Sequence, residues 1–229
     1  MATPIPQVDN GKRPEDPILA HVHLLPLPSN TPYGNLALKS MKIVMRIDWL
    51  NQRIQDAYAS YARARSVDPI VAKPLEHQLI AEEVVYWVRK TADELIGICD
   101  FLLHAVEAGE YPNALRIDSI GSALACRDSE ITAHLLDFTA FLAQLNDISN
   151  AYKHSFINSD VTLLGRDEPV VFALALKHNR LEASPVFHVV ALSQVVRQFS
   201  EFYVRAVGLM AELSKGLPAR MSPTGRGAA

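Results

Sequence analysis

The chain has 229 residues, of which 49% are hydrophobic and 21% charged, so it is long enough to bury one well-formed core. The formal net charge of -3 argues against a protein that coats nucleic acid or an anionic membrane, because both partners reward a strong cationic excess. The two cysteines, Cys99 and Cys126, lack a partner at metal or redox spacing, so we expect a reducing compartment and a cytoplasmic protein.

Residues 1–32 form a proline-rich N-terminal arm that holds half of the fourteen prolines. Proline fixes φ and removes a backbone donor, so we expect this arm to be extended. The first ten residues lack a basic region followed by an apolar run, and we therefore expect no signal peptide. The apolar side chains of the arm predict partial docking onto the domain that follows, and they are Ile18, Leu19, Val22, Leu24, Leu25 and Leu27.

The stretch 35–65 contains no proline or glycine, and its apolar residues recur at spacings of three and four, which predicts one long amphipathic helix. Pro69 and Pro74 end this helix. Its arginines and tyrosines could offer a surface to RNA, but Asp48 and Asp56 interrupt them, so an exposed helix face is the favoured interpretation. These side chains are Arg46, Arg53, Tyr58, Tyr61, Arg63 and Arg65.

A second long helix is predicted for residues 75–108 and becomes apolar on most of its circumference after Leu95. It should therefore be the most buried helix. Asp100 and His104 interrupt the most apolar segment, so we expect no membrane-spanning helix and no membrane partner. Gly109 ends the helix, and a short helix is expected near residues 119–125.

The remaining chain predicts two more long helices with a hairpin between them. Asp128 or Ser129 can cap a third helix that runs to about Phe156. Strand-forming residues then predict a β-hairpin at about 169–190 with its turn at 178–180, and a last helix follows from 192 to about 213. The fold class is thus mainly α, a helical bundle of four long helices with a small hairpin between the last two, occupying residues 33–215 before a flexible tail at 216–229.

The most informative stretch lies near the end of the third helix. Helical spacing places an acid, two amides, an ammonium and an imidazole together on an exposed stripe, formed by Asn146, Asp147, Asn150, Lys153 and His154. An imidazole exchanges protons near neutral pH, and a neighbouring lysine can hold a phosphate. The alternative interpretation is a solvated helix end whose cations complement the helix dipole.

Residues 149–154, Ser-Asn-Ala-Tyr-Lys-His, resemble the Arg-Asn-x-x-x-His motif of the HEPN superfamily, small helical-bundle proteins of prokaryotic defence and toxin systems. Asn150 and His154 match the motif, whereas Ser149 stands where the family has its catalytic arginine. Lysine does not replace a bidentate guanidinium. The resemblance therefore implies a relative without nuclease activity that acts through a homodimer or a protein partner.

Two enzymatic alternatives remain at the level of the sequence. The first is a metal-independent ribonuclease that uses His154 with Lys153 and Asn150. The second is a metal-dependent bundle enzyme, with Asp100, His104, Glu130 and His134 as candidate ligands. The paired Glu-x-x-His motifs of that architecture are absent from the sequence, so we expect neither a metal nor another cofactor.

Overall fold

A computed structural model describes residues 4–11, 25–66, 76–126, 128–154, 166–176, 180, 182 and 184–217. The protein is mainly helical and carries a two-stranded antiparallel sheet before its last helix, as predicted. The helices are α1 (Leu36–Ser66), α2 (Glu76–Ala108), α3 (Ile120–Ala125), α4 (Glu130–His134), α5 (Thr139–His154) and α6 (Leu192–Gly216), and the strands are β1 (Val170–Ala175) and β2 (Val186–Ala191). None of the described helices combines the length and the apolar run needed to cross a bilayer.

The chain groups into two compact units. The first comprises residues 1–8, 48–90 and 140–200, and the second comprises residues 9–47, 91–139 and 201–229. The division into an arm, a helical domain and a tail stays a prediction. Residues 12–24 of the arm and 218–229 of the tail lie outside the described residues.

The core of the second unit is built on the apolar end of α2. Phe101, Leu102 and Ile96 are almost completely buried. The Phe101 ring stacks on Tyr111 with centroids 5.3 Å apart and meets the edge of Tyr33 at 5.7 Å. Burial of such rings contributes most of the free energy that holds a small core together. This part of α2 is therefore as buried as its sequence predicts.

Two of the arm residues that were predicted to dock, Leu25 and Leu27, lie in the described part of the chain. Leu27 is 6% exposed in the second unit, and Leu25 is half-buried there. Val8 is buried in the first unit, where its backbone exchanges two hydrogen bonds with the Asn51 side chain at 2.8 and 3.0 Å. Partial docking is confirmed for Leu25 and Leu27. The other arm residues named in the sequence analysis fall outside the described part of the chain.

The continuous third helix predicted from Ser129 is wrong. Ser129 caps α4 as expected, but α4 stops at His134, a single 3-10 turn follows at Leu136–Phe138, and α5 begins at Thr139. Leu135 is buried and leaves helical geometry with φ -108° and ψ 11°. The Thr139 hydroxyl donates to the Leu136 carbonyl at 2.8 Å, an example of a side chain that competes with helical hydrogen bonds. The predicted end at Phe156 lies outside the described residues.

Polar side chains join distant segments of the first unit. The Glu168 carboxylate accepts hydrogen bonds from the Tyr58 hydroxyl at 2.6 Å and from the Ser193 hydroxyl at 2.8 Å. The Ser193 N–H, in the first turn of α6, also donates to Glu168 at 3.2 Å, where a negative charge is favoured by the helix dipole. Tyr61 donates to the Arg166 carbonyl at 2.6 Å. These bonds fix the segment that leads into β1.

The hairpin has two unlike faces. Strands β1 and β2 pair in the register Val171↔Val190 and Phe172↔Val189. The inner face is buried through Val171, Ala173 and Val190, which are 1 to 4% exposed. On the outer face, Phe187 and Val189 are exposed although both are apolar. The predicted hairpin is confirmed, and most of the predicted turn lies outside the described residues.

Candidate functional site

The polar stripe predicted on α5 is present in the first unit. The buried side of α5 presents Leu142, Leu145 and Ile148, each at most 2% exposed. The opposite side carries the polar residues. Asp147, Asn150, Lys153 and His154 are exposed, and Asn146 is half-buried. The helical spacing thus sorts polar from apolar side chains as predicted.

Ser149 lies on the buried side of α5 rather than on the stripe. Its side chain is 2% exposed, and Ile148 and Ala151 beside it are also buried. Asn150 and His154 lie one helical turn apart on the exposed side, separated by about 6 Å along the axis. The position that corresponds to the arginine of the HEPN motif therefore faces away from the two positions that match.

The end of α5 is held by contacts with α2 and β1. The Lys153 ammonium lies 5.9 Å from the centroid of the Tyr86 ring, within the range of a cation–π interaction. The Tyr152 hydroxyl donates to the Phe172 carbonyl at 3.2 Å. Burial, followed by the nearby Glu82 carboxylate, raises the pKa of Tyr152, so this phenol stays protonated and remains a donor. Lys153 and Tyr152 thus have structural roles within the stripe region.

The four candidate metal ligands form two separate pairs in the second unit. Asp100 and His104 lie one turn apart on α2. Burial raises the pKa of Asp100, and a hydrogen bond with the Ile117 backbone partly offsets this rise. His134 and Glu130 are paired on α4 with Nε2 and Oε1 4.0 Å apart. Within the described residues, no three histidine, cysteine or carboxylate side chains meet as metal ligands would.

The arginines of α1 face carboxylates of α2. In the first unit, Arg53 contacts Glu83 and Asp56, each at 2.8 Å, and Arg63 contacts Glu76 at 3.1 Å. These side chains line a cavity of about 380 Å³. Its lining is mixed in charge, so it does not present the basic surface that a nucleic-acid backbone requires.

In the second unit, Arg46 pairs in the same way with Glu94 at 3.0 Å and donates to the Thr91 hydroxyl at 3.2 Å. The interpretation of α1 as a helix face rather than an RNA surface is consistent with this neutralisation. The sequence did not reveal the ion pairs between α1 and α2, because the partners are 13 to 48 residues apart.

A second cavity, of about 250 Å³, lies in the second unit and is mainly apolar. Its walls come from α1, α2, α6 and the arm, and include Ile43, Leu95, Val207 and Met210. The sequence shows these residues only as core positions on separate helices, since nothing in helical periodicity indicates where packed helices leave a gap.

No known protein family, no curated protein and no solved structure matches this chain. Its function is therefore inferred from its own side chains and their contacts.

Proposed function

We propose that this protein is a HEPN-like helical-bundle protein of the cytoplasm that has no ribonuclease activity and acts through protein–protein contacts, with a partner or with a second copy. The observation that carries the proposal is the burial of Ser149, which is 2% exposed. A catalytic arginine would have to reach a phosphate beside His154. The side of α5 on which Ser149 lies offers no such access.

The chemistry of the remaining stripe supports the same proposal. Cleavage of RNA without a metal needs a base for the 2′-hydroxyl, an acid for the leaving oxygen and a cation for the phosphate. Asn150 cannot transfer protons, and the Lys153 ammonium contacts the Tyr86 ring. Asp147 lies seven residues before His154, about 10 Å along the helix axis. The two proton-transfer side chains of the stripe, Asp147 and His154, are therefore about two helical turns apart.

Recognition of another protein needs none of this chemistry. A stripe with an acid, amides and cations can form hydrogen bonds and ion pairs at the rim of an interface. A defence or toxin–antitoxin setting, in which such proteins bind a partner, follows only from the resemblance of residues 149–154.

An RNA cleavage assay in the presence of a chelator tests the proposal. We expect no cleavage by the parent protein. We also expect Ser149→Arg to cleave nothing and to melt well below the parent, because its guanidinium would be buried without a partner at a cost of several kcal/mol. Asn150→Arg, at the adjacent exposed position, is the matched control and should melt near the parent.

The ribonuclease remains the alternative, because Asn150, Lys153 and His154 are exposed on one side of α5. Metal-independent cleavage by the parent that disappears in His154→Ala would establish this alternative and overturn the proposal. Activity gained in a stable Ser149→Arg variant would instead indicate a lost active site.

A further inference from the structure

Within the described residues, the edge of the hairpin that makes no further backbone hydrogen bonds is the edge of β2 opposite β1. Leu192 N–H donates to the Pro169 carbonyl at 2.9 Å, which extends the ladder by one hydrogen-bonded pair beyond Val170↔Ala191. Hydrogen-bonded and non-hydrogen-bonded pairs alternate in an antiparallel ladder. The pairs Phe172↔Val189 and Leu174↔Phe187 are therefore non-hydrogen-bonded, and their backbone N–H and C=O groups point away from the partner strand.

The two edges of the sheet differ in the hydrogen bonds that their outward backbone groups make. On the β1 side, the outward Phe172 carbonyl accepts the Tyr152 hydroxyl. On the β2 side, no hydrogen bond within the described part of the chain reaches the outward backbone groups of Phe187 and Val189. β2 is thus the edge at which the sheet can be extended.

The β2 edge also lacks the usual protection against pairing. Edge strands are commonly shielded by charged side chains, but none of the six residues of β2 is Lys, Arg, Asp or Glu. Phe187 is 61% exposed and Val189 is 44% exposed on the outer face. The Phe187 ring contacts Phe172 across the same face, with centroids 6.3 Å apart. An uncharged, apolar open edge favours an uncharged, apolar strand as its partner.

We infer that β2 pairs with β2 of a second copy, antiparallel and around a two-fold axis at Val189, to give a four-stranded sheet. This inference rests on the proposed function and deepens it, since it names the second copy as a partner and β2 as the surface. Two copies of a strand without Lys, Arg, Asp or Glu bring no carboxylates, ammonium groups or guanidinium groups together. The symmetric contact is also the commonest way in which protein chains associate.

The sequence of the strand selects this register. A two-fold axis at Phe187 or at His188 would place Pro185 in the ladder, opposite Val189 or Ala191, where proline has no N–H to donate. An axis at Val190 or at Ala191 would require residues of α6, which begins at Leu192. With the axis at Val189, the two Val189 residues exchange two hydrogen bonds and each Ala191 N–H reaches the other copy's Phe187 carbonyl, about four bonds in all.

Side-chain size fits the same register. Phe187 of one copy lies opposite the small Ala191 of the other, and Val189 lies opposite Val189. The exposed part of the Phe187 ring amounts to about 120 Å², so the strand contact alone is well below the roughly 800 Å² per partner of a standard interface. We therefore expect an association that depends on protein concentration rather than a permanent dimer.

Two variants that carry opposite charges at position 189 test the inference. The mass of the full chain is measured by light scattering or sedimentation across a concentration series. We expect the parent to dimerise. Val189→Lys and Val189→Glu should each dimerise at least about tenfold more weakly, because like charges meet at the axis. An equimolar mixture of the two variants should regain association, because opposite charges then meet. Leu136→Lys, at a position 68% exposed in the second unit, is the control and should dimerise like the parent. Circular dichroism and melting confirm that each variant folds.

The other outcomes separate this inference from the proposed function. If the parent stays monomeric, the partner is not a second copy. If the monomer instead binds an extended peptide of another protein through β2, the proposed protein binding still stands. A parent that dimerises equally well in both charged variants has its interface elsewhere, which overturns the role of β2 but keeps self-association. Charged variants that are monomeric and do not recover on mixing overturn the two-fold axis at Val189.

Discussion

A polar network in the first compact unit and an aromatic cluster in the second depend on different physical properties. In the first unit, side-chain hydrogen bonds join segments far apart in sequence, such as Tyr58 to Glu168 at a separation of 110 residues. In the second unit, a cluster of aromatic rings surrounds Phe101, which packs against Tyr111 and Tyr33. Apolar contacts depend on shape and area, whereas polar contacts also depend on protonation. The polar network of the first unit should therefore respond to single polar substitutions, and the aromatic cluster of the second unit should respond to the loss of volume.

The largest expected effect is loss of the Phe101 ring. Phe101→Ala should lower the free energy of unfolding by about 3–5 kcal/mol, because it removes a buried ring and leaves a cavity between Tyr33 and Tyr111. Denaturant unfolding followed by circular dichroism measures the change. Leu136→Ala, at a position 68% exposed, is the control and should change stability little. A similar loss in both variants would contradict the assignment of Phe101 to the core.

An intermediate effect is expected at Glu168. Glu168→Gln should destabilise the protein by about 1–3 kcal/mol, because the Tyr58 and Ser193 donors lose a carboxylate that accepts from both. The same unfolding experiment, extended to Tyr58→Phe and to the double variant, measures how strongly the two groups are coupled. Strictly additive effects would show that the hydrogen bond between them contributes nothing, and the contrast between the units would then weaken.

The smallest expected effect concerns acidification and His77. This imidazole is 2% exposed and meets the Tyr61 ring edge-on at 5.1 Å. Burial lowers the pKa of His77, partly offset by Glu76. The unfolded chain then binds the proton more tightly than the folded one, so this residue's contribution to stability decreases as the pH falls below about 6.5.

Melting temperatures of the parent and of His77→Phe between pH 7.5 and pH 5.5 test this effect. The parent should lose more stability over this range than the variant. Leu136→Ala, which removes no titratable group at a position 68% exposed, is the control and should follow the parent. Equal slopes in the parent and His77→Phe would mean that the acid sensitivity of the first unit arises from other groups.

The sequence predicted the regular elements well where local signals were strong. Proline and glycine bracket the first two helices, and α1 and α2 begin and end within one residue of the predicted positions. The interruption between α4 and α5 was missed. Apolar periodicity continues through Leu135, and the competition of threonine hydroxyls for helix carbonyls is decided by packing rather than by spacing.

In the candidate site too, the sequence predicted the features set by local spacing and missed those set by tertiary contacts. The exposed stripe on α5 follows from helical spacing alone, and so it was predicted. The contact of Lys153 with Tyr86 and the Glu168 hydrogen bonds require knowledge of which segments meet, which one sequence does not contain. The open face of β2 left a trace in the sequence, because its residues Phe187 and Val189 are apolar, whereas the exposed face of a half-buried strand is usually polar.

The Tyr152 hydroxyl on the Phe172 carbonyl has a consequence for the size of any assembly. A sheet with two open edges can add strands without limit and grow into a filament, as in cross-β fibres. Here the Tyr152 hydroxyl already occupies an outward carbonyl of β1, which hinders a further strand from pairing on that side. If copies pair through β2, we therefore expect the association to stop at two copies.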